Sequence, residues 1–148
     1  VFTEEELQSR YEIFLENYSK TIHIESLTMQ EMVRKDFTRG LVSYMKDVTN
    51  EALKKKQLLP QLKCTYEDEI ITTLDETSEK ISKSLDKLSK DTQKAEKETD
   101  ELKAAKFYHE TILADMDALR SSVDKAEAII PDGYLPYPTY GEMLFSLR

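Results

Sequence analysis

A chain of 148 residues with three glycines, four prolines and no tryptophan has room for one domain with a modest core, and lacks the breakers that sheets and loop-rich folds require. Its formal net charge of −8 excludes general affinity for nucleic acid, and 39% hydrophobic against 34% charged residues excludes a disordered chain. The single cysteine, Cys64, leaves no internal disulfide and no cysteine metal cluster. No run approaches the ~18–20 apolar residues that cross a bilayer and no signal peptide is visible, so the expectation is a cytoplasmic protein without membrane contact. The sequence opens on Val1 rather than methionine, a hint that it was cut from something longer.

Four helices in a single helical domain, 1–148, follow in chain order. The first, about 3–24, starts at Thr3, whose hydroxyl can cap free amides while Glu6 reaches back. Glu4, Glu5 and Glu6 suit the positive end of its dipole, and Leu7, Tyr11, Phe14, Leu15, Tyr18 and Ile22 form one apolar stripe. A second capping box, Thr28 with Glu31, predicts a new helix over about 28–58 with Met29, Val33, Phe37, Leu41, Tyr44, Val48 and Ala52 on its inner face. Gly40 inside this helix costs roughly 1 kcal/mol against Ala; either a neighbouring helix approaches closely there, the favoured reading, or the helix is slightly weak. Lys54, Lys55 and Lys56 read as cations at a helix C-terminus rather than a phosphate-binding patch, and Pro60 ends this half.

From Pro60 to Pro131 no glycine or proline intervenes. Apolar residues recur on alternating steps of three and four from Ile71 through Leu74, Ile81, Leu85 and Leu88 to Ile112, Leu119, Ala126 and Ile130. Ser78, Thr92, Thr99 and His109 fill the remaining seam positions. Two structures satisfy this pattern. One is a continuous helix of roughly 90 Å that needs an outside partner. The other is an antiparallel hairpin with helices at about 65–92 and 98–130, favoured because the seam is thinnest between Thr92 and Thr99. Folding symmetrically about Ala95 sets Leu88 opposite Leu102 and Leu85 opposite Ala105. The fold class is therefore all-α, a helical bundle with a long coiled-coil-like hairpin and an extended Pro/Tyr-rich C-terminal tail.

That tail, 131–148, begins with the turn signal Pro131-Asp-Gly133 and continues as a proline-fixed aromatic segment. Tyr137, Tyr140, Leu144 and Phe145 carry apolar area with few charges and are the candidate docking residues. Catalytic signals are missing. His23 and Glu25 have a His-x-Glu spacing without the downstream cysteine pair of zinc deaminases, and three scattered glycines make no phosphate loop. His109 falls on the seam, as a partly buried contact residue. No catalytic, cofactor-binding or metal-ligating residue is assigned.

Arg10-Tyr-Glu-Ile-Phe-Leu-Glu-Asn-Tyr18, Ile22-His-Ile-Glu25 and Thr28-Met29 resemble the C-terminal helical region of type III glutamine synthetases. Met116-Asp-Ala-Leu-Arg120 and the ending Pro136-Tyr-Pro-Thr-Tyr-Gly-Glu-Met-Leu-Phe145 agree in order, the latter resembling the family's Trp-Pro-Phe-Pro-Thr-Tyr-Gly-Asp-Leu-Leu-Phe. Leu135 stands where that ending has tryptophan, and Asp36 to Gly40 depart from an Ile-Leu-Pro-Ala pattern. The resemblance implies a parent enzyme that joins ammonia to glutamate with ATP and a divalent metal, Mg or Mn. It implies a cytoplasmic homo-oligomer whose ligands lie upstream, so that none maps here. This region would then be a non-catalytic structural, assembly or regulatory domain. Its partners would be the upstream catalytic region and other subunits. A free-standing helical adaptor or coiled-coil interaction module is the alternative, and the presence of an upstream catalytic domain separates the two.

Overall fold

A computed structural model describes residues 2–138 and Met143. Of the four candidate docking residues Tyr137 is among them, whereas Tyr140, Leu144 and Phe145 lie outside the described residues. The described chain is all-α and holds no strand. Its helices are α1 (Glu4–Met32), α2 (Thr38–Leu58), α3 (Thr65–Glu96), α4 (Glu101–Phe107) and α5 (Leu113–Glu127). π-helical turns at Val33–Phe37 and Tyr108–Ile112 join α1 to α2 and α4 to α5, and a 3-10 turn follows at Asp132–Tyr134.

The capping box at the start of α1 forms as its sequence predicts. The Thr3 amide donates to Glu6 Oε2 at 2.9 Å and the Glu6 amide to Thr3 Oγ1 at 3.2 Å. The second box does not form. Helical backbone runs without a break from Glu4 to Leu58, where the sequence reading placed an interruption at 25–27. Thr28 instead donates its hydroxyl to the Ile24 carbonyl one turn back, at 2.9 Å, and Ser26 is fully buried. With no Gly or Pro between Thr21 and Arg39, a capping pair alone does not end a helix whose face is buried.

The chain divides into two compact units, Val1–Glu31 with Ser82–Arg120, and Met32–Ile81 with Ser121–Arg148. In the first, α1 lies against a helical hairpin. The turn at 97–100 breaks the helix, and the Asp100 side chain caps α4 by accepting the Lys103 amide at 2.9 Å. Leu15 and Ile22 of α1 are buried in this unit with Leu88, Ala95, Ala105, Tyr108, Ile112 and Leu119. Burial of each larger side chain contributes roughly 1.5–3 kcal/mol.

The hairpin exists, but its register is not the one symmetric about Ala95. Lys87 pairs with Asp115 across it, and Leu88 is fully buried while Leu102, set opposite by that symmetry, is 41% exposed. His109 is exposed and its neighbour Tyr108 is buried in its stead. The π turn explains both shifts. One extra residue in the turn at Tyr108–Ile112 rotates the inward face before it, so Ala104 and Tyr108 join Ala105 in the core while Leu102 and His109 do not.

In the second unit Val33, Phe37, Leu41, Ala52, Leu74, Ile81, Ala126 and Ile130 are buried. The π turn at Val33–Phe37 is closed by Thr38, whose amide and hydroxyl both donate to the Val33 carbonyl. Helix α2 ends before Pro60, and its last-turn lysines reach α3: Lys55 to Glu67, and Lys56 to Asp68 at 3.1 Å. The basic run thus has specific carboxylate partners besides its own helix end. Cys64 links the two helices with a left-handed backbone, φ 51°, and its carbonyl accepts the Asp68 amide at 2.9 Å.

Candidate functional site

Each unit contains one feature that the amino-acid pattern marked as a candidate. In the second unit it is the beginning of the tail. Gly133 and Pro131 frame the 3-10 turn, which carries Tyr134 onto α2. The Tyr134 hydroxyl donates to Asp47 Oδ2 at 2.8 Å, and its ring meets that of Tyr44 with centroids 5.0 Å apart. The Asp47 carboxylate holds the Tyr134 phenol above its ordinary pKa by accepting its proton in a hydrogen bond. Beneath the turn lies Gly40. A Cβ there would run into the Tyr134 carbonyl, with the Leu135 side chain next to it. The close approach expected at Gly40 is real, and what approaches is the tail turn rather than another helix. Gly40 and Leu135, two places where the sequence departs from the family pattern, therefore meet in one contact.

Tyr137 is half-buried, and burial, reinforced by Glu127 and Asp124, pushes its phenol up to about 12. It borders a shallow cleft of about 590 Å³ with Leu135, Pro136, Pro138 and Met143.

In the first unit the candidates are the histidines. Neither belongs to a ligand cluster, and both hold tyrosines. His23 Nδ1 shares a hydrogen bond with the Tyr108 hydroxyl at 3.0 Å, and His109 Nδ1 shares one with the Tyr18 hydroxyl at 2.7 Å. Two crossed Tyr–His pairs thereby join α1 to the start of the π turn. The Tyr108 phenol is raised by burial, then by the charge of Glu96. Beside the His23–Tyr108 pair opens a cleft of about 530 Å³ edged by Glu16, Lys20, Glu96, Glu98 and Glu101. Glu16 and Lys20 are already paired at 2.6 Å, and Glu98 accepts the Asp100 amide at 3.0 Å. Among the described residues, no three His, Cys, Asp or Glu side chains converge to hold a metal ion.

Deeper in the same unit lies a polar group that no sequence signal identified. The Ser26 and Thr92 hydroxyls are 2.8 Å apart, and Gln30 Nε2 donates to Ser26 at 3.2 Å and to Thr92 at 3.4 Å. Thr92 also donates to the Leu88 carbonyl at 2.7 Å. Thr92 was visible only as a polar gap in an apolar seam. Its partners lie 62 and 66 positions away, a distance that no spacing rule spans. Nearby, Asp91 accepts from Lys94 at 2.8 Å and from Lys87 at 3.3 Å, and Lys94 foremost holds its carboxyl below the usual range.

A family model described as the glutamine synthetase C-terminal domain matches residues 1–57. A glutamine synthetase of Butyrivibrio fibrisolvens is 59% identical over 148 residues, 100% of this chain and 21% of that protein. A glutamine synthetase of Bacteroides fragilis is 26% identical over 99% of the chain, and a type-3 glutamine synthetase of Dictyostelium discoideum is 25% identical over 95%. The chain spans about a fifth of the length of these curated relatives, 21%, 21% and 20% in turn. No solved structure matches it. The end-to-end similarity to glutamine synthetases and the match of residues 1–57 to the glutamine synthetase C-terminal domain model agree with the motifs at Arg10–Tyr18 and Pro136–Phe145.

Proposed function

We propose that this chain is the non-catalytic C-terminal domain of a type III glutamine synthetase, in which it serves assembly and support of the catalytic region. The observation that carries this reading is 59% identity along the whole chain to a glutamine synthetase about five times as long, since 148 residues make 21% of it. The type III assignment is supported by similarity over 95% of the chain to a protein named as type-3. The parent activity is the ATP-dependent ligation of ammonia to glutamate in a cytoplasmic homo-oligomer. Among the described residues no three His, Cys, Asp or Glu side chains converge to hold a metal ion, and in this reading the ATP and divalent-metal ligands lie in the upstream region.

The positive content of the domain is interaction. Its polar side chains hold helices in register and its tail turn clasps α2, and the docking role proposed for the tail falls to Tyr137, Tyr140, Leu144 and Phe145. The test is made on the full-length protein. It is expected to form glutamine from glutamate, ammonia and ATP, whereas this chain purified alone forms none. Removing the domain is expected to disrupt assembly, read by mass in solution. Glutamine formation by the isolated chain contradicts the non-catalytic reading, and a full-length protein without ligase activity contradicts the parent reaction.

A further inference from the structure

Helix α1 has one apolar face with two fates. From Leu15 onward it is covered: Leu15 and Ile22 are buried in the first unit, and Tyr18 is held by His109. Toward the N-terminus the same face continues through Leu7, Tyr11 and Phe14, spaced at four and three residues, which keeps them within one narrow arc of the helix. Here it is bare. Leu7 is 55% exposed, Tyr11 48% and Phe14 65%, and every residue from Phe2 to Phe14 is exposed. A stripe with core composition that outruns its cover is a contact surface rather than scattered surface apolarity.

We infer that the Leu7–Tyr11–Phe14 face of α1 docks into an apolar groove on the preceding region of its own polypeptide, a groove edged by Lys or Arg. This deepens the proposed function and rests on its reading of the chain as one domain of a longer protein. Two observations select that occupant over a second copy of the domain. First, the relatives hold about four-fifths of their length outside the matched region, the chain covering 21% of the first of them, and the family match is to a C-terminal domain. The bare turns are those nearest the junction with that preceding chain, so it meets them at the high effective concentration of a short tether. Second, the bare turns carry Glu4, Glu5, Glu6 and Glu12 against a single cation, Arg10, which lies over the Phe2 ring at 4.2 Å. Two such surfaces meeting each other would bring like charges together, whereas a basic-edged groove complements them.

Full-length protein carrying a photoreactive benzophenone side chain at position 14 tests this directly. The expected product is a cross-link within one subunit to a peptide that precedes this chain in sequence. A cross-link between two copies of the C-terminal domain, a cross-link joining two subunits, or none at all overturns the inference. Hydrogen exchange provides the second measurement. In the full-length protein the triple change Leu7→Ser, Tyr11→Ser, Phe14→Ser is expected to speed exchange of amides 7–14 about tenfold or more, leaving amides 22–30 unchanged. Equal rates in both proteins overturn it as well. Neither readout depends on glutamine formation, so a parent lacking ligase activity would fail the proposed function and leave this surface standing or falling by its own result.

Discussion

The two compact units are built to different rules. In the first, helices are aligned by hydrogen bonds at depth: Ser26, Gln30 and Thr92 bond to one another in the interior, and two Tyr–His pairs join α1 to the hairpin. In the second, alignment comes from shape, with the Tyr134 turn seated on Gly40, a position of α2 that lacks a side chain. Buried hydroxyls and amides tolerate only a register that satisfies them all, so the first unit is specified by what mismatch would leave unpaired. The second is specified by contact distance, which a single methyl group can violate.

The apolar cores themselves should not differ. Leu74 in the second unit and Ile112 in the first are both fully inaccessible, and Leu74→Ala and Ile112→Ala are each expected to cost about 2–5 kcal/mol in urea unfolding. A loss below 1 kcal/mol in either would show that unit to be loosely packed and end the comparison there.

Gly40→Ala separates the units next. In an open helix the change would gain roughly 1 kcal/mol. Here the added Cβ meets the Tyr134 backbone carbonyl, which has no rotamer by which to yield, and a net loss of about 1–3 kcal/mol is expected. A stabilised variant would mean that the tail turn does not occupy α2. The matching experiment in the first unit is Thr92→Val, which deprives Ser26 and Gln30 of a partner and is expected to cost about 1–3 kcal/mol. Its control is Thr77→Val. Thr77 is also buried, but among the described residues its hydroxyl bonds back to the Thr73 carbonyl of its own helix, so the change is expected to stay within about 0.5 kcal/mol. Equal losses at both threonines would remove the special standing of the Ser26–Gln30–Thr92 group.

The smallest effects are electrostatic and have opposite pH windows. Tyr137 is pushed up to about 12 in the folded chain, and the fold therefore favours its neutral form. Its contribution is intact below about pH 10, the ordinary phenol value, and is lost as pH rises from there to about 12. Denaturation midpoints between pH 9 and 12 should fall less steeply in Tyr137→Phe than in the parent chain. Asp91 is held below the usual carboxyl range, first by Lys94, so its contribution is present above about pH 4 and disappears as pH falls through the lowered value. Its lysine partners are mostly exposed, and Asp91→Asn should change acid stability by less than about 1 kcal/mol.

Much of this architecture was legible in single residues. Thr3 and Glu6 announced the start of α1 because a capping box involves only neighbours in sequence. Gly40 announced a close approach because a glycine inside a helix needs a reason, although not which segment would approach. The seam from Leu74 to Leu88 and from Ile112 to Ile130 could be read from period alone, since burial on a regular helix follows its repeat. The turn signal at Pro131-Asp-Gly133 was legible as well, and a 3-10 turn stands at Asp132–Tyr134.

What the amino-acid order determined, then, is helical content, the capped start of α1, the stop at Pro60 and the apolar face of each segment, all consequences of interactions within a few residues. Only the tertiary structure decided the rest. It carried α1 through the unused box at Thr28 because Ser26 found Thr92, a partner on another helix. It turned the hairpin at 97–100 and paired Lys87 with Asp115 instead of folding about Ala95, and it placed a π turn at Tyr108–Ile112 that exchanged His109 for Tyr108 at the core. Each of those outcomes depends on which distant side chain offers the better contact, a comparison of energies between segments that no local pattern contains.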